Sequence, residues 1–314
     1  MPKSKVVIVG TGMVGMSYAY ALLNQGTVEE LVLIDINKER AEGEAMDLNH
    51  GLSFSPRKMK IYAGDYSDCR DADIVVITAG VSQKDGETRI DLLNRNAAIM
   101  KIVVKNIMAS QFGGIILVAS NPVDILTYVA WKASGLPSSK VFGSGTSLDT
   151  ARLRFEIAQR IHISVKNIHA YIMGEHGDTE FVCWSNAYIG AKPIKDVIES
   201  MKEIDFNDLE QIHYDVKHSA YEIIKRKKAT YYGIGMTLVS ITKAIINNEN
   251  RIVPISVYND GIYDIDKDLY IGLPGVLNAD GVHHVVNLKL DDNEQKKLQH
   301  SAKVLRDILD KMEF

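Results

Sequence analysis

Short apolar runs alternate with longer amphipathic segments through the first half of the chain. The runs Val6–Val9, Leu31–Ile34, Ile74–Ile77 and Ile115–Val118 are unbroken in valine, isoleucine and leucine, the pattern of strands buried on both faces of a sheet. Between them, Met13–Gln25, Lys38–His50 and Arg89–Gln111 are long enough for helices. Strand alternating with helix predicts parallel strands joined by right-handed crossovers, a doubly wound α/β sheet. After Gly143 the texture changes. Helical patterns at 147–161, 205–226, 230–247 and 291–312 surround strand-like pieces at 168–172, 251–258, 269–271 and 282–290. Gly261 and Gly272-Leu273-Pro274-Gly275 read as turns between the later strands. This mixture predicts an α+β second domain, with the boundary near 143–147 and hence domains at 1–145 and 146–314.

Composition narrows the function classes. The chain has 314 residues, and at ~150 residues per domain it holds about two domains. The formal charge of −4 leaves no basic excess to grip nucleic acid. The one basic run, Lys225–Lys228, reads as a solvated helix end. Cys69 and Cys183 show no paired spacing, which fits a reducing compartment. Glycines cut the first apolar run too short for a secretory segment, and no run is long enough for a membrane span. A cytoplasmic protein is expected. The His283-His284 pair has no ligand at metal spacing except Asp280, so no metal is expected.

The glycines after the first strand carry the first specific signal. Gly10-Thr11-Gly12-Met13-Val14-Gly15 follows a predicted strand and opens a predicted helix. Gly10 suits the tight turn, Gly12 the close approach of a pyrophosphate, and Gly15 the packing of helix on strand. Met13 and Val14 place backbone N–H groups at the helix N-terminus, where a phosphate is favoured. The next apolar run ends at Asp35, twenty residues after Gly15. A carboxylate there accepts from both ribose hydroxyls and repels a 2′-phosphate. This order predicts a Rossmann-type domain that takes NAD in preference to NADP.

Two polar segments reach the same sheet edge. Ala79 to Arg89 follows the Ile74–Ile77 strand and has the glycines and polarity of a lid, and Ser120-Asn121-Pro122-Val123-Asp124 follows the next strand. Ala79, Gly80, Ser120 and Asn121 therefore belong with the cofactor candidates. Further on, Asp149 and Arg152 share one face of a predicted helix, and Gly174-Glu175-His176-Gly177-Asp178 presents a histidine on a glycine turn.

Together these segments resemble the L-lactate/malate dehydrogenase family over essentially the whole chain, and most closely its bacterial L-lactate branch. The resemblance implies NAD-linked interconversion of pyruvate and L-lactate. It implies that His176 is the acid/base, that Asp149 holds its ring, and that Arg152 binds the substrate carboxylate. By the same resemblance Arg89 closes on the ketone, Asn121 contacts the substrate oxygen, and Thr230 lines the pocket. Gln83 stands where the malate branch usually has arginine, so a second substrate carboxylate would lack a full partner. Asp85 stands where the family usually has proline, which widens the open ensemble of the lid. Arg154 and His169 match positions that in many bacterial relatives bind fructose 1,6-bisphosphate at a subunit interface; the resemblance thus implies an allosteric activator and a homotetramer. Malate or a broader 2-hydroxy acid as substrate, or a non-catalytic NAD-binding protein, remain the alternatives.

Overall fold

The four apolar runs form strands, and the segments between them form helices, within a residue or two of the predicted limits. The computed structural model describes residues 4–81, 86, 88–201 and 204–312, with the backbone alone at Arg89 and Phe206. The chain divides into two compact units, one of 1–144, 231–251 and 276–284 and one of 145–230, 252–275 and 285–314. The first change of unit, at Ser144 to Gly145, lies within the predicted boundary region; the chain then returns to the first unit twice.

The first unit begins β1 (Lys5–Val9), α1 (Met13–Gln25), β2 (Glu30–Ile34), α2 (Lys38–His50), β3 (Lys60–Ala63) and β4 (Ile74–Ile77). It continues α3 (Arg89–Ala109), β5 (Ile115–Val118), α4 (Val123–Ser134) and β6 (Val141–Gly143). The strands run β3-β2-β1-β4-β5-β6, all parallel. The order reverses between β1 and β4, and in open α/β sheets ligands bind beyond the strand ends at such a point. Strands β1, β4 and β5 are buried throughout, which explains their unbroken apolar sequences. Strand β3 carries an exposed Lys60 and half-buried Tyr62 at the sheet edge, so the apolar-run reading passes over it.

The second unit holds α5 (Ser147–Ile161), β7 (Ile168–His169), β8 (Ile172–Met173), β9 (Phe181–Val182), β10 (Tyr188–Ile189), β11 (Lys192–Pro193), α6 (Ile194–Ser200) and α7 (Phe206–Lys227). Helix α8 (Tyr232–Ile246) lies in the first unit, where it packs on α1 and Thr242 bonds the buried Tyr18 hydroxyl at 2.6 Å. Strands β12 (Arg251–Asn259), β13 (Leu269–Asn278) and β14 (Gly281–Val285) and helix α9 (Asp292–Leu309) complete the chain. Leu153, Ile157, Ile172, Ile212 and Val216 form the centre of the second unit's core.

One expectation is overturned. Gly272-Leu273-Pro274-Gly275 is not a turn but the buried middle of β13. Gly272 exchanges two backbone hydrogen bonds with Gly174, at 3.0 and 2.9 Å. A Cβ there would stand 2.6 Å from the Gly174 carbonyl oxygen. The glycine answers to a close backbone approach, not to a reversal of the chain.

Candidate active site

The glycine turn after β1 has the geometry its sequence predicts. Gly10 has a φ of +107°, and a Cβ there would lie 2.7 Å from the Ala79 nitrogen. A Cβ at Gly15 would collide with the Gly10 carbonyl oxygen, so helix and turn touch backbone to backbone. A Cβ at Gly12 would meet no protein atom within 4 Å. Gly12 is also the N-cap of α1 and makes no side-chain cap bond to the first N–H groups of the helix, those of Met13 and Val14 among them. These features fit a dinucleotide pyrophosphate.

Asp35 stands beside this turn. The Thr11 N–H and hydroxyl donate to its Oδ2 at 2.7 and 2.9 Å, and the Asn37 N–H donates to Oδ1 at 2.9 Å. Partial burial pushes this carboxyl up, but the bonds from Asn37 and Thr11 and the nearby Arg40 charge outweigh it and hold the group below its usual range. Asp35 is thus an anchored carboxylate at neutral pH. Beyond β4 and β5 the Ser120 hydroxyl donates to the Ala79 carbonyl at 2.6 Å, tying the two loops together. Asn121 is exposed, with a cis peptide bond to Pro122. Sequence reading missed Asn96 on α3, whose amide brackets Val81 by accepting from its N–H at 2.9 Å and donating to its carbonyl at 3.3 Å. It fixes the segment that begins at Ala79 and Gly80.

The second unit brings together Asp149, Arg152 and His176. Asp149 lies in the first turn of α5, where the helix dipole favours a carboxylate. Its Oδ2 is 2.6 Å from His176 Nδ1, and its Oδ1 accepts from Arg152 Nη1 at 2.7 Å. Burial pushes the Asp149 carboxyl up. The His176 ring and the Arg152 guanidinium overcome this and hold it below the usual range. Thr146 and Thr150 fix α5 to β8: Thr146 donates to the Ile172 carbonyl at 2.6 Å, and Thr150 accepts from the Ile172 N–H at 2.9 Å. The glycine turn is held from the other side by Ser301 of α9, which accepts from the Glu175 N–H at 2.6 Å. Gly174, at φ +97°, permits that contact, since a Cβ there would stand 2.8 Å from the Ser301 oxygen.

Arg154 turns away from Arg152, as two helical steps of about 200° require. Its Nε donates to the Ala170 carbonyl at 3.1 Å and its guanidinium lies over Tyr171, 5.3 Å from the ring centre. His169 is exposed on β7. Thr230 is half-buried between α7 and α8. Gln83 and Asp85 lie outside the described residues, as does the Arg89 side chain, although the Arg89 backbone opens α3 behind a Thr88–Asp91 capping box. Sequence reading also missed Glu180, a buried carboxyl close to Asp149 and His176. No spacing rule marks it; only burial does.

Residues 4–143 match the family model for the lactate/malate dehydrogenase NAD-binding domain, and residues 146–314 match its alpha/beta C-terminal domain. The chain belongs to the lactate/malate dehydrogenase family. It is an NAD-dependent oxidoreductase. It is 55% identical over 306 residues to an L-lactate dehydrogenase of Geobacillus thermodenitrificans, covering 98% of this chain and 96% of that one. It is 52% identical over 306 residues to L-lactate dehydrogenase 2 of Bacillus cereus, covering 98% and 97%. A crystal structure of a lactate dehydrogenase from a Medee basin deep-sea metagenome library matches with a TM-score of 0.98 at 71% identity, covering 99% of each chain. The ligand-bound minor L-lactate dehydrogenase of Enterococcus mundtii matches with a TM-score of 0.97 at 48% identity, again over 99% of each chain.

The Asp35 geometry makes a prediction for this family member. Asp35→Ser removes the carboxylate that the sequence order predicts for the ribose hydroxyls and against a 2′-phosphate. NADH affinity falls by about tenfold and the NADH/NADPH preference narrows. Fluorescence titration with both nucleotides measures it; an unchanged ratio would contradict the assigned role.

Proposed function

We propose that this dehydrogenase is an NAD-dependent L-lactate dehydrogenase that reduces pyruvate to L-lactate reversibly. The observation that carries the reading is the contact of His176 Nδ1 with the buried Asp149 carboxylate at 2.6 Å, with Arg152 on the same carboxylate at 2.7 Å. Bound NADH supplies the hydride. Asp149 holds the ring by Nδ1 and stabilises its protonated form, so that Nε2 gives a proton to the ketone oxygen as the alcohol forms. Running backwards, the neutral ring takes that proton from lactate. Arg152 binds the carboxylate through parallel N–H donors. Arg89 stabilises charge developing on the ketone oxygen. Asn121 and Thr230 are the further substrate residues that the family resemblance implies, and the neutral Gln83 offers no full partner to a second substrate carboxylate.

The test is NADH oxidation by the purified protein with pyruvate and oxaloacetate in parallel. Pyruvate shows the higher kcat/KM, and Gln83→Arg moves the preference towards oxaloacetate, because a buried second carboxylate needs a full partner. Comparable efficiency on both acids would sink the lactate assignment. NADH binding without turnover of either would favour a non-catalytic protein. The same assay with fructose 1,6-bisphosphate tests Arg154 and His169. The activator lowers the apparent KM for pyruvate, and the assay is run near pH 6 and pH 7.5. We place this activity in the cytoplasm, in a homotetramer; among the described residues no helix is long and apolar enough to cross a membrane.

A further inference from the structure

Glu180 lies four residues beyond His176 and is 6% exposed. One polar atom from each of Asp149, His176 and Glu180 lies within 4.8 Å of the other two. Among the described residues, the buried Oε1 of Glu180 has no hydrogen-bond partner. A buried polar atom left unpaired is costly, and it stands here beside the acid/base histidine of the proposed reaction. The cluster is ill suited to a cation, because the Arg152 guanidinium already sits 2.7 Å from Asp149.

The charged groups around Glu180 come from three elements. Helix α5 presents Asp149 and Arg152, the glycine turn presents His176, and α7 presents Lys217 and His213, whose ring is bonded to the Glu180 backbone. Lys217 also donates to the Asp178 carbonyl. Asp149 Oδ1 accepts from Arg152 and its Oδ2 faces the His176 ring, and a Glu180 carboxyl oxygen stands within 4.8 Å of a carboxyl oxygen of Asp149 and a ring nitrogen of His176. Burial and the Asp149 charge push the Glu180 carboxyl well above its usual range. While the ring is neutral, two carboxylates this close repel each other, and a protonated ring relieves that repulsion. The ring and Glu180 therefore titrate as a linked pair.

We propose that Glu180 is a positioning residue for this reaction: its carboxyl stabilises the protonated His176 ring, so that the pH at which the ring gives up its proton is set by Glu180 as well as by Asp149. The proposal rests on His176 being the acid/base. It extends pyruvate reduction to higher pH than Asp149 alone sustains.

Glu180→Gln keeps the shape and removes the charge. The His176 ring is followed by NMR titration in the unliganded full-length protein, with its resonance identified by loss in His176→Asn. The pH profile of pyruvate kcat/KM is measured beside it. In E180Q the ring titration and the alkaline limb both move to lower pH, by about one unit, and Glu180→Asp restores part of the shift. Glu180→Met, equally uncharged, gives the same direction and serves if E180Q does not fold. An unchanged ring midpoint in either folded, uncharged variant overturns the proposal. The ring titration needs no substrate. If pyruvate is not turned over but the ring still shifts, the lactate reading falls and the coupling stands.

Discussion

Asp149→Asn lowers the rate of pyruvate reduction by about 10²–10⁴-fold, while NADH still binds. The substitution keeps the size of a side chain only 3% exposed but removes the charge that faces His176 Nδ1 at 2.6 Å. An amide can satisfy that nitrogen in the wrong tautomer and cannot stabilise the imidazolium. His176→Asn has a loss of the same order, and the double variant is little worse than either alone, because the two side chains act as one unit. Single-turnover NADH decay separates the chemical step from binding. A fall of less than about tenfold in Asp149→Asn would mean that the pair is structural, since general acid–base catalysis is worth more than that. The pH dependence has a definite sign. On the proposed mechanism, reduction needs the protonated ring and fades as pH rises through its pKa, whereas lactate oxidation grows over the same range. Asp149, held below the usual carboxylate range, also contributes folding stability that is present above the unfolded value of ~3.9 and is lost as pH falls further.

Arg152→Lys raises the KM for pyruvate and lowers kcat/KM by roughly 30-fold to several thousand-fold, the equivalent of about 2–5 kcal/mol for a buried, hydrogen-bonded charge pair. Lysine keeps the positive charge beside Asp149 but loses the planar fork that matches a carboxylate. Arg152 lies on α5 one turn from Asp149, with its side chain 15% exposed, so a lysine there has little room to rearrange. Steady-state kinetics with pyruvate, with the thermal midpoint as a folding control, measure the effect. Unchanged kcat/KM would remove Arg152 from substrate binding.

The elements that the sequence marks clearly are those whose signals are local. Helices α1, α2 and α5 begin and end where the apolar pattern and the flanking glycines, asparagine and histidine place them. The parallel strands were legible because burial on both faces leaves no polar alternation. Strand β3 was not, because an edge strand keeps an exposed face, and β6 has only three residues. The Gly272–Gly275 segment was misread because glycine and proline mark a turn only when no other backbone needs the space. The glycine turn, Asp35, the Asp149–Arg152 pair and the His176 turn were singled out in the sequence, and the roles of Asp149, Arg152 and His176 came from the family resemblance.

The sequence by itself thus determined the strand-helix order, the glycine turn with its acid twenty residues on, and the residue types available for proton transfer and carboxylate binding. These depend on periodicity and on contacts a few residues apart. Only the tertiary structure decided that Thr11 anchors Asp35, that Asn96 holds Val81, and that Ser301 braces the His176 turn from α9. It also decided the direction in which each carboxyl is pushed. Asp149 and Glu180 are both buried acids, yet Asp149 has Arg152 and His176 as direct partners while, among the described residues, Glu180 has an oxygen with none. Burial and neighbouring charge set those directions, and both depend on residues brought together from α5, the glycine turn and α7.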